Sequence, residues 1–327
     1  MNNIIKIAIV GLGQIGNYLY NELKIKKKDI ELKTGKKIKI VALSAKSKNK
    51  KRKFKINKKI FFSNPLDIIK KTKPDILFEV IGRSDGISKR LVELALKNKI
   101  HVITPNKALI AKHGDSLTIL AEKNKVNLEF EAAVCGGVPI IRSIKEGLIA
   151  NKINRFNGIF NGTSNYILSS MDKDKTSFND TLNRAIKLGY AESNPKSDLN
   201  GEDVASKVKI LSCLAFNSFI NSNIHIEGIK NIDREDITNA DKLGYKIKLL
   251  GFSEIKSNKL YQRVHPTLVN KNSYIASVDG VLNAVIIDGN PIGKNIIQGE
   301  GAGPSATTSA LVSDISSIIR GNIKFPF

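Results

Sequence analysis

One short pattern, Gly11-Leu12-Gly13-Gln14-Ile15-Gly16, constrains this chain more than any other. It stands directly behind the apolar β-type run Ile4–Val10 and ahead of an amphipathic segment through Tyr18, Leu19 and Leu23. A strand, a glycine loop and a helix in that order predict a dinucleotide crevice at the start of the chain. Gly11 allows the tight turn, Gly13 lets backbone approach a pyrophosphate, and Gly16 lets helix and strand pack closely. The helix N-terminus then faces the phosphates, so Leu12, Gln14 and Ile15 join the glycines as candidate cofactor contacts.

Strand and helix patterns keep alternating behind that loop. Residues 38–43 read as a strand, 65–71 as a helix, 75–81 as a buried strand, 87–97 as a helix and 100–104 as a strand. Such alternation implies a parallel sheet wound by right-handed crossovers, with ligands at the carboxyl ends of its strands. Gly82, Arg83, Ser84 and Thr104-Pro105-Asn106-Lys107 are therefore candidate lining residues. After the second strand, where an acid would hold the ribose 2′-hydroxyl of NAD, the chain carries Lys46, Lys48, Lys50, Lys51, Arg52 and Lys53 instead. Those cations suit a 2′-phosphate, so NADP is the expected cofactor, with NAD as the alternative.

Length and composition narrow the class. At 327 residues the chain has room for two domains, and 41% hydrophobic with 25% charged residues describes a globular protein. No apolar run approaches the roughly 18 residues of a membrane span, and no cleavable signal precedes the first strand. Two cysteines and four histidines form no disulfide or metal pattern, and the cytoplasm is the expected location. The net charge of +23 invites a nucleic-acid reading. However, lysine is spread over the whole chain, aromatics are sparse, and no basic–aromatic interleaving suits base stacking. A small-molecule substrate is expected, with neither nucleic acid nor membrane as partner.

The chemistry is expected between Ala185 and Lys207. Leu182, Ala185, Ile186 and Leu188 are helix-spaced, and Gly189 supplies a stop. A turn-rich loop holding Glu192, Asn194-Pro195 and Asp198 follows, then a second helix with Asn200 as its expected N-cap. On that helix Val204, Val208, Leu211 and Ala215 form one stripe, with Asp203 and Lys207 as i,i+4 neighbours on its flank. Four acids in so short a stretch, Glu192, Asp198, Glu202 and Asp203, stand out in so basic a chain.

The pattern Ala-x3-Gly-Tyr-Ala-x2-Asn-Pro-x2-Asp-Leu-x-Gly-x-Asp-x3-Lys resembles the signature of homoserine dehydrogenases at every position. The resemblance extends over essentially the whole chain. It implies an α/β protein: a Rossmann-type parallel sheet over 1–133, completed by 302–327, and a second α+β catalytic and dimerisation domain over 134–301. It also implies NAD(P)-dependent interconversion of L-aspartate 4-semialdehyde and L-homoserine, in threonine and methionine biosynthesis, by a homodimer. Under it Lys207 is the general acid, Asp203 orients it, and Lys107 lies near both nicotinamide and substrate. Glu192 and Asp198 receive the substrate ammonium, Tyr190 and Thr163 line the pocket, and Gly301 lies near the nicotinamide. The segment EAAVCGGVP resembles a family stretch that binds sodium, which makes Glu131, Val134, Gly136 and Val138 its expected ligands. No room is expected for the regulatory ACT domain of longer relatives. The alternatives are another reductase of the aspartate pathway, such as an acylating semialdehyde dehydrogenase using Cys135, or a nucleotide-responsive binding protein without turnover.

Overall fold

The computed structural model describes residues 4–47, 52, 54, 56–218 and 223–321. The chain divides into two compact units, one of residues 1–137 with 303–327 and the other of residues 138–302.

The first unit alternates strand and helix. Its elements are β1 (Ile4–Val10), α1 (Gln14–Ile25), α2 (Lys27–Thr34), β2 (Lys37–Ser44), β3 (Phe61–Phe62), α3 (Leu66–Thr72), β4 (Ile76–Glu79), α4 (Ile87–Lys97), β5 (His101–Ile103), α5 (Lys107–Asn124) and β6 (Leu128–Glu129). The strands are parallel, in the order β3-β2-β1-β4-β5-β6, so the direction of winding reverses between β1 and β4. Both faces of a parallel sheet are covered by its crossovers, and the strands read accordingly as continuous apolar runs. Ile7 and Ile9 of β1, Leu43 of β2 and Phe78 of β4 are fully buried against Leu19 and Leu23 of α1. Each such side chain contributes about 1.5–3 kcal/mol by leaving water.

The second unit runs α6 (Ile140–Arg142), β7 (Lys152–Ile159), α7 (Gly162–Asp174), α8 (Phe178–Lys187), α9 (Lys196–Leu199), α10 (Glu202–Phe216), β8 (His225–Ile226), α11 (Arg234–Lys242), β9 (Tyr245–Lys256), β10 (Lys259–Asn270), β11 (Leu282–Asn290) and β12 (Gly293–Glu300). Its sheet has the order β12-β11-β7-β9-β10-β8 and is antiparallel except where β8 joins β10. Helices α7, α10 and α11 lie along β9. The approach of α10 depends on Gly251, where an added Cβ would sit 2.4 Å from the Val208 side chain. The last helix, α12 (Pro304–Ile319), returns to the first unit and adds Leu311 and Ile315 to its core.

The start of α10 differs from the sequence expectation. Asn200 ends the short helix α9, and α10 starts from Gly201, whose left-handed backbone (φ 82°) makes a sharp entry. At the edge of the first sheet β6 pairs only at Leu128–Glu129, because the chain turns into a 3-10 helix at Glu131–Ala133. The charged stretch 172–174 continues α7 until Lys175 takes a left-handed conformation. Gly299 and Glu300 belong to β12, and the turn before α12 lies at 301–303.

Candidate active site

Lys207 lies on α10 one turn from its start, where the Asp203 carboxylate is 2.8 Å from its Nζ. The same amine donates to the carbonyl of Phe160, at the end of β7. Lys207 is only 8% exposed and Asp203 4%, so the pair belongs to the interior of the unit rather than to a solvated face. Asn161 completes the arrangement. Its Nδ2 donates to Asp198 Oδ1 and to Asp203 Oδ2, both at 2.8 Å, while its Oδ1 accepts from Ser164 N–H and caps α7. One amide thus fixes two carboxylates and the start of a helix. A buried amine held beside a carboxylate is a proton donor of the kind that suits an oxygen bearing developing charge.

The other expected substrate residues divide into two groups. Thr163 donates its hydroxyl to the Tyr190 carbonyl at 2.6 Å, and the Tyr190 ring tilts against Tyr166 at 4.9 Å. These contacts tie the loop after α8 to the first turn of α7. Asp198 joins the cluster through Asn161, whereas Glu192 is exposed on the loop and is not drawn in by these contacts. Gly301 packs so closely on the Asn283 carboxamide that an added Cβ would lie 2.1 Å from it. Asn283 and Asn161 were not singled out from the sequence. The one available signal was an Asn-Gly-Thr turn placed to cap a helix.

In the first unit the glycine loop is built for close approach. Gly11 has φ 104°, and a Cβ there would stand 2.4 Å from the Val80 carbonyl oxygen; one on Gly16 would stand 1.8 Å from the Gly11 oxygen. Gly13 caps α1 with no side-chain bond and has open space beside it, and Gln14 is exposed while Ile15 is half-buried. Leu12 is buried in the core cluster. The free amide end of a 12-residue helix beside a glycine backbone fits a dinucleotide pyrophosphate. Lys46 is exposed behind β2, and the Arg52 guanidinium donates to the Ser47 carbonyl at 2.6 Å, which holds it at the same loop. Lys48, Lys50, Lys51 and Lys53 lie outside the described residues.

Gly82, with φ 90°, turns the chain after β4. Ser84 donates to Asp85, which also takes Lys112 and His113 of α5. The bond from Lys112 is the main reason that Asp85 is held well below the usual carboxylate range. Thr104 is fully buried, so its part in this site is to shape the turn before Lys107, the half-buried first residue of α5. Glu131, Val134 and Gly136 close the stretch that ends the first unit, and Val138 opens the second. The Glu131 and Val138 carbonyls already accept from Val134 and Ile140 N–H. Cys135 is fully buried, unlike the accessible thiolate an acylating dehydrogenase needs. Among the described residues no group of three His, Cys, Asp or Glu side chains could hold a metal, and no helix is long and apolar enough to cross a membrane.

Comparison with known proteins decides the family. The homoserine dehydrogenase NAD-binding domain model matches residues 11–131, and the homoserine dehydrogenase model matches residues 139–316. The chain belongs to the homoserine dehydrogenase family. It is 40% identical over 317 residues to homoserine dehydrogenase of Neisseria gonorrhoeae, covering 97% of this chain and 72% of that protein. A homoserine dehydrogenase structure from Thiobacillus denitrificans superposes with a TM-score of 0.91 at 38% identity, over 97% of this chain and 73% of that one. A hyperthermophilic archaeal homoserine dehydrogenase mutant in complex with NADPH gives a TM-score of 0.80 at 25% identity, over 96% of this chain and 97% of that one. As a homoserine dehydrogenase, this chain is an NAD(P)-dependent oxidoreductase acting on a CH–OH group in amino-acid biosynthesis. Its cofactor-binding sheet and its mixed sheet correspond to the two matched models.

Proposed function

We propose that the chain reduces L-aspartate 4-semialdehyde to L-homoserine with NADPH, and that Lys207 supplies the proton. The observation that carries this reading is the Lys207 amine, buried and held between Asp203 and the Phe160 carbonyl. A bound nicotinamide supplies the hydride to the aldehyde carbon. As charge builds on the carbonyl oxygen, Lys207 Nζ donates to it, and Asp203 stabilises the cationic amine before the transfer. Asn161 keeps Asp203 aimed at the amine and keeps Asp198 where a substrate ammonium would meet it. Glu192 joins Asp198 as the second acid for that ammonium, while Tyr190 and Thr163 shape the wall and Lys107 assists at the reacting oxygen.

The cofactor is held by Gly11 to Gly16, with Gly82, Ser84 and Gly301 toward the nicotinamide end. Preference for NADPH rests on Lys46 and Arg52, two cations behind β2 where no acid is present to take a 2′-hydroxyl. Sodium binds through Glu131, Val134, Gly136 and Val138, and the enzyme works in the cytoplasm as a homodimer. The test follows NADPH and NADH oxidation separately with aspartate semialdehyde, in sodium and then in potassium salts. The expected result is kcat/KM at least about tenfold higher with NADPH, since two charge-assisted contacts of about 1 kcal/mol each set the difference. It is also expected to be higher in sodium. Equal values with the two cofactors would remove the NADPH assignment, equal values in the two salts would remove sodium, and no turnover would remove the reaction.

A further inference from the structure

Glu79 ends β4, next to β1, at the point where the winding of the sheet reverses. Ligands of such sheets bind outside the strand ends at that point. The side chain is completely buried, and all its partners are neutral donors from loops at those strand ends. Oε1 accepts from Ile81 N–H at 3.0 Å, and Oε2 accepts from the Thr104 hydroxyl at 2.7 Å and from Asn106 Nδ2 at 3.2 Å. Thr104 Oγ1 in turn accepts from Asn106 N–H at 3.0 Å. Asn106 caps α5 through Leu109 N–H and donates to the Arg83 carbonyl at 2.8 Å. One carboxylate therefore gathers the chain after β4, the turn after β5 and the start of α5, whose first residue is Lys107.

A buried carboxylate is expensive in free energy, and an apolar side chain of similar volume commonly serves stability as well or better. What the carboxylate adds is geometry, because two of its three acceptor bonds come from the turn and the third ties it to the chain after β4. We propose that Glu79 is a positioning residue that holds the Thr104–Lys107 turn in the form in which Lys107 acts. This inference rests on the reading that Lys107 takes part in the reaction.

A double-mutant cycle tests it. Glu79→Gln keeps the shape but turns an NH2 group toward one of the donors, and Thr104→Val removes the hydroxyl between Glu79 and Asn106. Each is expected to lower kcat/KM by about 10- to 100-fold, the scale of a misplacement near 1 Å. Combined with Lys107→Ala, either is expected to lower it by less than about twofold further, because the residue acted upon is gone. The dissociation constant for NADPH, read from its fluorescence, is expected to stay within about threefold, since pyrophosphate contacts lie on the Gly11–Gly16 loop. The proposal is overturned if Glu79→Gln and Thr104→Val both leave kcat/KM unchanged, or lower it equally with and without Lys107. It is likewise overturned if NADPH affinity falls by the same factor as kcat/KM. If Glu79→Gln does not fold, Thr104→Val carries the cycle alone. A Lys107→Ala enzyme with normal turnover overturns the reading of Lys107 and this proposal together. A slow Lys107→Ala enzyme with unaffected Glu79→Gln and Thr104→Val enzymes overturns this proposal alone.

Discussion

The residue proposed to carry the proton transfer is a lysine in a chain that has 53 basic residues, and what distinguishes it is where its amine goes. Lys207 was legible in the sequence because Asp203 sits four positions earlier, and helical geometry brings such a pair together whatever the tertiary fold. Asn161 was not, since it lies 42 residues from Asp203 and reaches it only because β7 and α7 pack beside α10. Lys207→Ala is expected to lower kcat by about two to four orders of magnitude, which single-turnover and steady-state assays would read. The substitution also leaves a buried carboxylate without its cation, so unfolding free energy should fall by about 3–5 kcal/mol in a urea titration. Retained turnover in a destabilised Lys207→Ala enzyme would mean that the pair is structural only.

At the scale of elements, the edge of the first sheet carries a titrating contact. His101 of β5 accepts the Asn127 N–H at Nδ1, just ahead of β6, and the Asn127 carbonyl takes Val102 N–H in return. Burial pushes the imidazole below its ordinary 6.5. Its folded value is the lower one, so the unfolded chain binds more protons and stability falls as pH drops below 6.5 toward that folded value. Above 6.5 this contribution is present in full. His101→Asn puts an uncharged acceptor near the Nδ1 position, and the urea midpoint of that variant should fall less between pH 7 and pH 5 than that of the parent. Parallel slopes would remove His101 from the pH response. At the same edge β6 stops at Glu129, because beyond it the partner strand β5 has ended and the backbone turns into a 3-10 helix.

For the whole molecule, the exposed face of the mixed sheet is the surface on which the proposed homodimer is expected to form. Side chains alternate along β9, so Gly251 faces α10 and Phe252 points the other way. There Phe252 stacks on His265 at 5.4 Å with the Arg263 guanidinium 4.9 Å from its centre, and Tyr261 and Ile296 stand exposed on the same face. Aromatic residues and arginine are the side chains that dominate interface energetics. Sedimentation at micromolar concentration should report twice 35.9 kDa, and Tyr261→Glu with Arg263→Glu should shift it toward the single-chain mass. A monomeric parent protein would overturn that interface.

The sequence by itself determined the dinucleotide crevice, the alternation that makes a parallel sheet, and the Asp203–Lys207 pair. All of these follow from periodicity and from glycine stereochemistry within a few residues of one another. It did not determine that α10 is buried on nearly every side rather than along one stripe, that Gly201 opens it, or that Thr104 is a support with its hydroxyl turned inward. Those outcomes depend on which strand end or helix lies opposite, and partners such as Glu79 with Asn106, or Asn161 with Asp203, are set by packing across dozens of residues of chain.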